Sequence, residues 1–308
     1  METWVFAALA AASFQTARFT LQKHMSRITL TATGATFARF IYSAPLAAVL
    51  AVGLTRETGW PALPLSFWLY GAIGGAAQIM ATVATVMLFG RRNFVVGMTF
   101  IKTEVLLSVL TGFLVLNETI SPLGAFAIVI GVAGVLVLST PASVPRQGTA
   151  QTAPSAGGWR KWLGASAGLG LLAGGLFSIS AVCYRGAVLQ VGIDAPFLAA
   201  LITLAAVTGM QLLGMALWLA VRDVRQIGAV LTAWRGALWI GLTSLAGSLC
   251  WFWGFGLQQV AYVKAVGQVE VVLGLLVSLL IFRERISAQE YLGMLLIMAS
   301  VLVLIVGV

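Results

Sequence analysis

The sequence predicts an all-α integral membrane protein of ten transmembrane helices, arranged as two inverted five-helix repeats around a central cavity. Three observations carry that expectation. First, 60% of the 308 residues are hydrophobic and 9% are charged, whereas a soluble domain has about 25% charged residues. Second, ten apolar runs reach the roughly 18 residues that a helix needs to cross a ~30 Å hydrocarbon layer. Third, the chain repeats itself: Gly75–Ser121, shifted by 166 residues, lies without a gap on Gly241–Ser287. Glu104 then meets Glu270, Val105 meets Val271 and Glu118 meets Glu284. Asp and Glu together number nine, so two Glu pairs at one shared spacing are not a coincidence of apolar composition.

In chain order the runs are 3–21, 29–54, 66–90, 94–116, 120–139, 162–189, 195–221, 234–257, 261–282 and 287–307. The first carries Gln15 and Arg18 where a removable signal would offer a small-residue cleavage site, so it is read as a retained helix. Most connections are short. Thr140–Gly158 is the exception, rich in Pro, Ser, Thr, Gly and Gln, and reads as a flexible linker. The expected organisation is a first repeat over 1–139, a cytoplasmic linker over 140–160 and a second repeat over 161–308. Five spans is an odd number, so two homologous halves joined head to tail enter the membrane with opposite polarity. That architecture is typical of secondary transporters, with the substrate site near the midplane between the repeats.

Orientation follows from the cations. Loops on one side hold Lys23, Arg27, Arg91, Arg92, Arg146, Arg160, Lys161, Arg222, Arg225, Arg235, Arg283 and Arg285, and the other side offers only Arg56. The positive-inside rule places the first group in the cytoplasm and both termini outside it. Topology thus accounts for the net charge of +9, and nucleic acid is not an expected partner. His24 is the one histidine, and Cys183 and Cys250 lie in apolar runs, so neither a metal site nor a disulfide framework nor any cofactor is expected. No HExxH motif, no nucleotide-binding loop and no intramembrane Asp pair occurs, the aspartates being Asp194 and Asp223. An enzyme and direct ATP drive are both disfavoured.

A charge in the bilayer core costs several kcal/mol unless it is paired or faces water, so Lys102, Glu104, Lys264 and Glu270 each need a reason. Two residues advance a helix by about 200°, which would turn Lys102 and Glu104 to nearly opposite faces. The Glu104 face continues through Ser108, Thr111 and Gly112, and that of Glu270 through Gly274, Val277 and Ser278. These faces read either as the crossing of the fourth and ninth helices or as the seat of a proton-coupling acid. As crossing residues, Glu104→Gln and Glu270→Gln are expected to be mild. The opposite face holds Thr99, Lys102 and Thr103, with Lys264 and Gln268 on the ninth helix. A cation with amide and hydroxyl neighbours suits the carboxylate of a passing amino acid, the alternative being a lysine that snorkels to the interface.

On the third helix, Gln78, Thr82 and Thr85 form a polar stripe that the duplication maps onto Ser244, Ser248 and Trp251, continuing to Phe255 and Gln258. A polar stripe facing an aromatic one makes a mixed cavity, fitted to zwitterions with apolar side chains. Phe14, Gln15 and Arg18 on the first helix, and Ser180, Tyr184 and Arg185 on the sixth, hold equivalent places in the two repeats. Arg39 lacks a local acid and is expected to pair across helices, with Glu104 as the partner in its own half. Gly71–Gly75, Gly164–Gly168 and Gly170–Gly174 mark tight crossings, and Pro45 and Pro196 mark kinks or helix starts. The expected substrate-binding set is Phe14, Gln15, Arg18, Gln78, Thr82, Thr99, Lys102, Tyr184, Trp251, Lys264 and Gln268. Glu104, Glu270 and Arg39 form the helix-crossing or proton-coupling set.

Each repeat closes with a span, a short acidic turn (Leu116-Asn117-Glu118-Thr119-Ile120-Ser121 and Phe282-Arg283-Glu284-Arg285-Ile286-Ser287) and a final helix. With the ten spans and the repeated Glu block, the chain resembles the drug/metabolite transporter superfamily, its EamA-type bacterial branch, and within that branch the YddG-type exporters of aromatic amino acids. The resemblance implies a secondary transporter that exports amino acids from the cytoplasm across the bacterial inner membrane by alternating access, working as a monomer in the lipid bilayer. The alternative is a proton-coupled exporter of cationic drugs or other small metabolites. A receptor or scaffold would have no need of an inverted repeat.

Overall fold

The computed structural model describes residues 2–56, 59–91, 101–139, 165–280 and 288–307. Every regular element among them is helical: α1 (Thr3–Ile28), α2 (Ala32–Leu54), α3 (Leu65–Arg91), α4 (Glu104–Leu116), α5 (Pro122–Ser139), α6 (Ala165–Leu189), α7 (Pro196–Arg222), α8 (Val224–Thr232), α9 (Trp234–Leu257), α10 (Val260–Val266), α11 (Val269–Leu280) and α12 (Ala288–Gly307). Six segments of these residues are long and apolar enough to cross a membrane, on α2, α3, α6, α7, α9 and the α10–α11 run; α4, α5 and α12 contribute shorter apolar stretches. The linker and the second acidic turn, Glu284 included, lie outside the described residues.

Local chemistry sets the helix ends. Thr31 caps α2, its hydroxyl accepting from the Gly34 N–H at 3.1 Å, and Ser121 does the same for α5 through the Gly124 N–H. Pro196 opens α7 as a first-turn proline, whereas Pro45 sits inside α2. Asn117 ends α4 in the left-handed conformation, φ 54°.

Two features depart from the sequence expectation. The ninth span is not one helix: α10 and α11 are separated by a turn at Gly267 and Gln268. Ahead of α4, Lys102 and Thr103 form a turn of the same kind. Bonds to the third preceding carbonyl tighten both breaks, from Val105 to Lys102 (3.2 Å) and from Val271 to Gln268 (2.9 Å). Shifted by 166 residues, Lys102–Thr103 falls on Gln268–Val269, so the two breaks overlap at one position. The second departure is α8, nine residues between α7 and α9, where apolar runs gave no sign of a helix.

The helices pack in pairs. α1 lies along α9, α3 along α6, α2 along α7 and α5 along α12. Small residues permit these approaches, as bilayer helices require. Ala7, Ala8, Ala11 and Ala12 of α1 are fully buried, and a Cβ at Gly247 of α9 would stand 3.1 Å from Phe14 Cβ. On α3, a Cβ at Gly74 would meet Tyr184 and Cys183 of α6 at 2.9 Å, while Gly71 and Gly75 face Met210 and Gln211 of α7. Gly134 of α5 faces the Gly293 carbonyl of α12. Of the other expected crossings, Gly174 rests on the turn at Ile101–Thr103, but Gly168 has open space before it.

Side chains also tie together the segments between helices. Gln226 of α8 accepts from the Thr31 N–H and hydroxyl, at 3.1 and 2.9 Å, joining the α1–α2 and α7–α9 connections. Ser66, at the start of α3, donates to Gln190, just past α6. Glu118, past α4, pairs with Arg185, which also donates to the Phe255 and Gln258 carbonyls at the C-terminal end of α9. A guanidinium there satisfies carbonyls that the helix leaves open.

Candidate functional site

The two helix breaks meet in the interior, and the charges flanking them join into one quartet. Lys102 Nζ donates to Glu270 Oε2 at 2.5 Å and stands 3.5 Å from Glu104 Oε1. Lys264 Nζ donates to Glu104 Oε2 at 3.3 Å. None of the four is more than 6% exposed. Burial of this depth is tolerable only for paired charges, and each half supplies one lysine and one glutamate. The expected opposition of Lys102 and Glu104 fails because it assumes a continuous helix, and the turn at Lys102–Thr103 swings the lysine onto the carboxylate side. Snorkelling is excluded for both lysines by the same contacts.

Around the quartet the first and ninth helices add a second layer. Gln15 Nε2 donates to Glu270 Oε2 at 2.9 Å, while Gln15 Oε1 accepts from Trp251 Nε1 (2.9 Å) and Arg18 Nη2 (3.3 Å). Lys264 lies 4.2 Å from the centre of the Trp251 ring, a cation–π contact. Gly267 has no side chain where the Trp251 indole crosses the break.

Two polar clamps hold the halves together. Arg39 of α2 donates to Ser244 (2.7 Å) and Ser248 (2.9 Å) of α9 and to Thr82 (3.3 Å) of α3. Gln211 of α7 donates to the Gly75 carbonyl, Gln78 and Tyr184, at 3.0–3.1 Å, and Tyr184 in turn donates to Gln78 at 2.9 Å. The duplication pairs Ser244 with Gln78 and Ser248 with Thr82, so each clamp grips the corresponding stripe of the other half. Arg39 therefore finds hydroxyls across the molecule and not Glu104.

Between the clamps and the quartet lies a small cavity of about 20 Å³, lined by Gln15, Gln78, Phe177, Ser180, Ala181, Tyr184, Ser248, Trp251, Phe252, Phe255 and Lys264. It has room for about one water, against roughly 300–1,000 Å³ for an occupied small-molecule site. Its wall is aromatic on one side, with Tyr184 on Phe252 (ring centres 4.4 Å apart) and Trp251 stacked on Phe255 at 5.7 Å, and polar on the other.

Of the expected substrate-binding set, Gln15, Gln78, Tyr184, Trp251 and Lys264 line this cavity. Arg18 and Thr82 are buried behind it, on Gln15 and Arg39. Lys102 belongs to the quartet. Phe14 is 40% exposed and faces away from the interior. Gln268 is buried against Gly131 of α5 and Ser300 of α12, on the side of the break away from the cavity. Thr99 lies outside the described residues. Sequence reasoning missed Gln211, although it is the one amide in its span, and also Phe177 and Phe252, which nothing sets apart from core aromatics. Among the described residues no group of three His, Cys, Asp or Glu side chains gathers as a metal site.

Comparison with known proteins agrees with this architecture. No curated protein matches the chain. A solved crystal structure of a protein, 16% identical, superposes with a TM-score of 0.67 over 98% of this chain and 95% of that one, a likeness of fold. Residues 164–306 match the EamA-like transporter family. The chain is thus a multi-pass helical membrane protein in which the EamA-like transporter family model is matched over residues 164–306.

Proposed function

We propose that this protein is a secondary transporter that exports amino acids, aromatic ones among them, from the cytoplasm by alternating access. The reading rests above all on the exchange symmetry of the packing. Swapping the halves converts the α3–α6 pair into α9–α1, returns α2–α7 and α5–α12 to themselves, and carries one helix break onto the other. That is the pattern of two inverted five-helix repeats, 1–139 and 161–308 joined by the 140–160 linker, with discontinuous helices at the repeat interface. The match to a transporter family over 164–306 falls on the second of them.

Loop contacts support the same topology. Thr31 with Gln226 joins the first and seventh loops, and Glu118 with Arg185 and the Gln258 carbonyl joins loops of even number. With the cations of the odd loops in the cytoplasm, both termini are periplasmic and the membrane is the bacterial inner membrane. A cavity that is polar on one wall and aromatic on the other suits a zwitterion with an apolar side chain, and all of its lining comes from one chain, which supports a monomer as the working unit. Proton-coupled export of cations is the weaker reading, because a lysine already holds each interior carboxylate.

Counterflow of labelled amino acids in proteoliposomes, with and without a pH gradient, tests the proposal. Exchange of aromatic amino acids is the expected result. A protein that exchanges no amino acid, yet moves a cationic dye along the pH gradient, would overturn it.

A further inference from the structure

Among the described residues the interior charge does not balance. Leaving aside Lys23, near the end of α1, their buried helical core holds four cations, Arg18, Arg39, Lys102 and Lys264, against two carboxylates, Glu104 and Glu270. The lysines engage both carboxylates. The arginines hold neutral acceptors: Arg39 the hydroxyls of Ser244, Ser248 and Thr82, and Arg18 the Gln15 amide oxygen. Arg18 Nη1, in a side chain 3% exposed, has no hydrogen-bond partner. Hydroxyl and amide dipoles do not neutralise a guanidinium in a low-dielectric interior. Arg18 lies within electrostatic range of Arg39 and, more weakly, of Glu270, the carboxylate that Lys102 already holds. The groups the two arginines hold, Gln15 and Ser248, both line the central cavity.

We infer that the carboxylate of the transported molecule is bound by Arg18 and Arg39, reached through the Gln15–Ser248 wall of the cavity, while the lysine–glutamate quartet stays intact. The inference rests on the transport reading and narrows it. A guanidinium presents a planar fork that a carboxylate fills with two hydrogen bonds and opposite charge, and one excess positive charge is neutralised when it binds. The ligand class is then carboxylates with an apolar side chain, with or without an α-amino group; amides and amines of the same shape are excluded. It also moves carboxylate recognition from the lysines, where sequence reasoning put it, to the arginines.

Purified full-length protein is tested by thermal unfolding, and by competition in counterflow, with L-phenylalanine, 3-phenylpropionate, phenylalaninamide and phenethylamine, using sodium chloride as the inorganic anion. L-phenylalanine and 3-phenylpropionate are expected to protect, the amide and the amine not. Arg18→Gln is expected to weaken both carboxylates by at least about tenfold, with Arg18→Lys between. Arg39→Gln removes three interhelical bonds, so the Arg18 series carries the mutational test; if Arg18→Gln does not fold, the ligand panel on the unsubstituted protein decides alone. An amide that protects as well as the acid, an unchanged affinity in Arg18→Gln, or chloride acting as well as either carboxylate would overturn the assignment. Protection by 3-phenylpropionate that depends on Arg18, in a protein with no amino-acid flux, would keep the site and sink the transport reading. Flux of phenylalanine with the amide competing equally would do the reverse.

Discussion

Cutting the quartet at its shortest contact is expected to be costly, and the cost should be recoverable. Lys102 Nζ and Glu270 Oε2 are 2.5 Å apart with both side chains at most 4% exposed. Removing one member of such a pair leaves a buried charge unmatched, typically about 3–5 kcal/mol. In Glu270→Gln, Lys102 keeps Glu104 at 3.5 Å, so the lower end, about 3 kcal/mol, is expected. In Lys102→Met, Glu270 keeps the Gln15 amide but has lost its ion-pair partner, and a similar loss follows. The double variant Lys102→Met/Glu270→Gln replaces the ion pair by neutral groups and leaves Lys264 with Glu104, so much of the loss should return, as a coupling of about 2–3 kcal/mol. On the usual scale of about 2–4 °C per kcal/mol, each single change lowers the unfolding midpoint by about 6–12 °C. The four proteins, purified in one detergent and unfolded in parallel, form a double-mutant cycle. Single effects that add to within about 0.5 kcal/mol in the double variant would refute the pairing.

Three further outcomes follow from individual contacts. Tyr184→Phe keeps the ring on Phe252 but loses the hydroxyl between Gln78 and Gln211, at an expected cost of about 1–3 kcal/mol; an unchanged unfolding midpoint would deny that bridge. Arg185→Met frees Glu118 and the last carbonyls of α9, for an expected loss of about 1–3 kcal/mol, which salt screening of Glu118 does not explain if it persists at high ionic strength. Gly267→Ala sets a methyl group against the Trp251 indole, an overpacking of about 1–3 kcal/mol; a midpoint equal to that of the unsubstituted protein would show that the indole does not lie on the break.

Apolar length and turn chemistry located most of the long helices within a few residues, because a span needs only enough apolar residues and a cap or proline to stop it; α1 is the exception, running seven residues past its expected end to Ile28. The internal repeat singled out Glu104 and Glu270 without a structure. What the sequence hid was mostly long-range. Arg39 reaches Ser244 and Ser248, some 200 positions away, and no local pattern announces such partners. The error about Lys102 had a different origin. A helical-wheel argument holds only while the helix runs on, and the turns at Lys102–Thr103 and Gly267–Gln268 invert the face that each lysine presents. The same reading bears on Glu270→Gln, expected to be mild because Gln keeps size and hydrogen bonding; with Lys102 on the carboxylate, a larger cost is expected. Gln268 was misread because of the helix break too. α8 escaped because nine residues fall below any span rule, although its Val230 is wholly buried.

Two-sided access to the central cavity is the most direct test of the central claim. Ser180, 1% exposed, lines it, and Cys183 and Cys250 are free thiols that can be replaced by alanine. Ser180→Cys in that background, reconstituted in oriented vesicles, is exposed to a membrane-impermeant thiol reagent from one side at a time. Labelling from both sides, slowed by L-phenylalanine, is the expected result. Labelling from one side only, at a rate that no amino acid changes, would contradict a path that opens alternately to the two faces of the membrane.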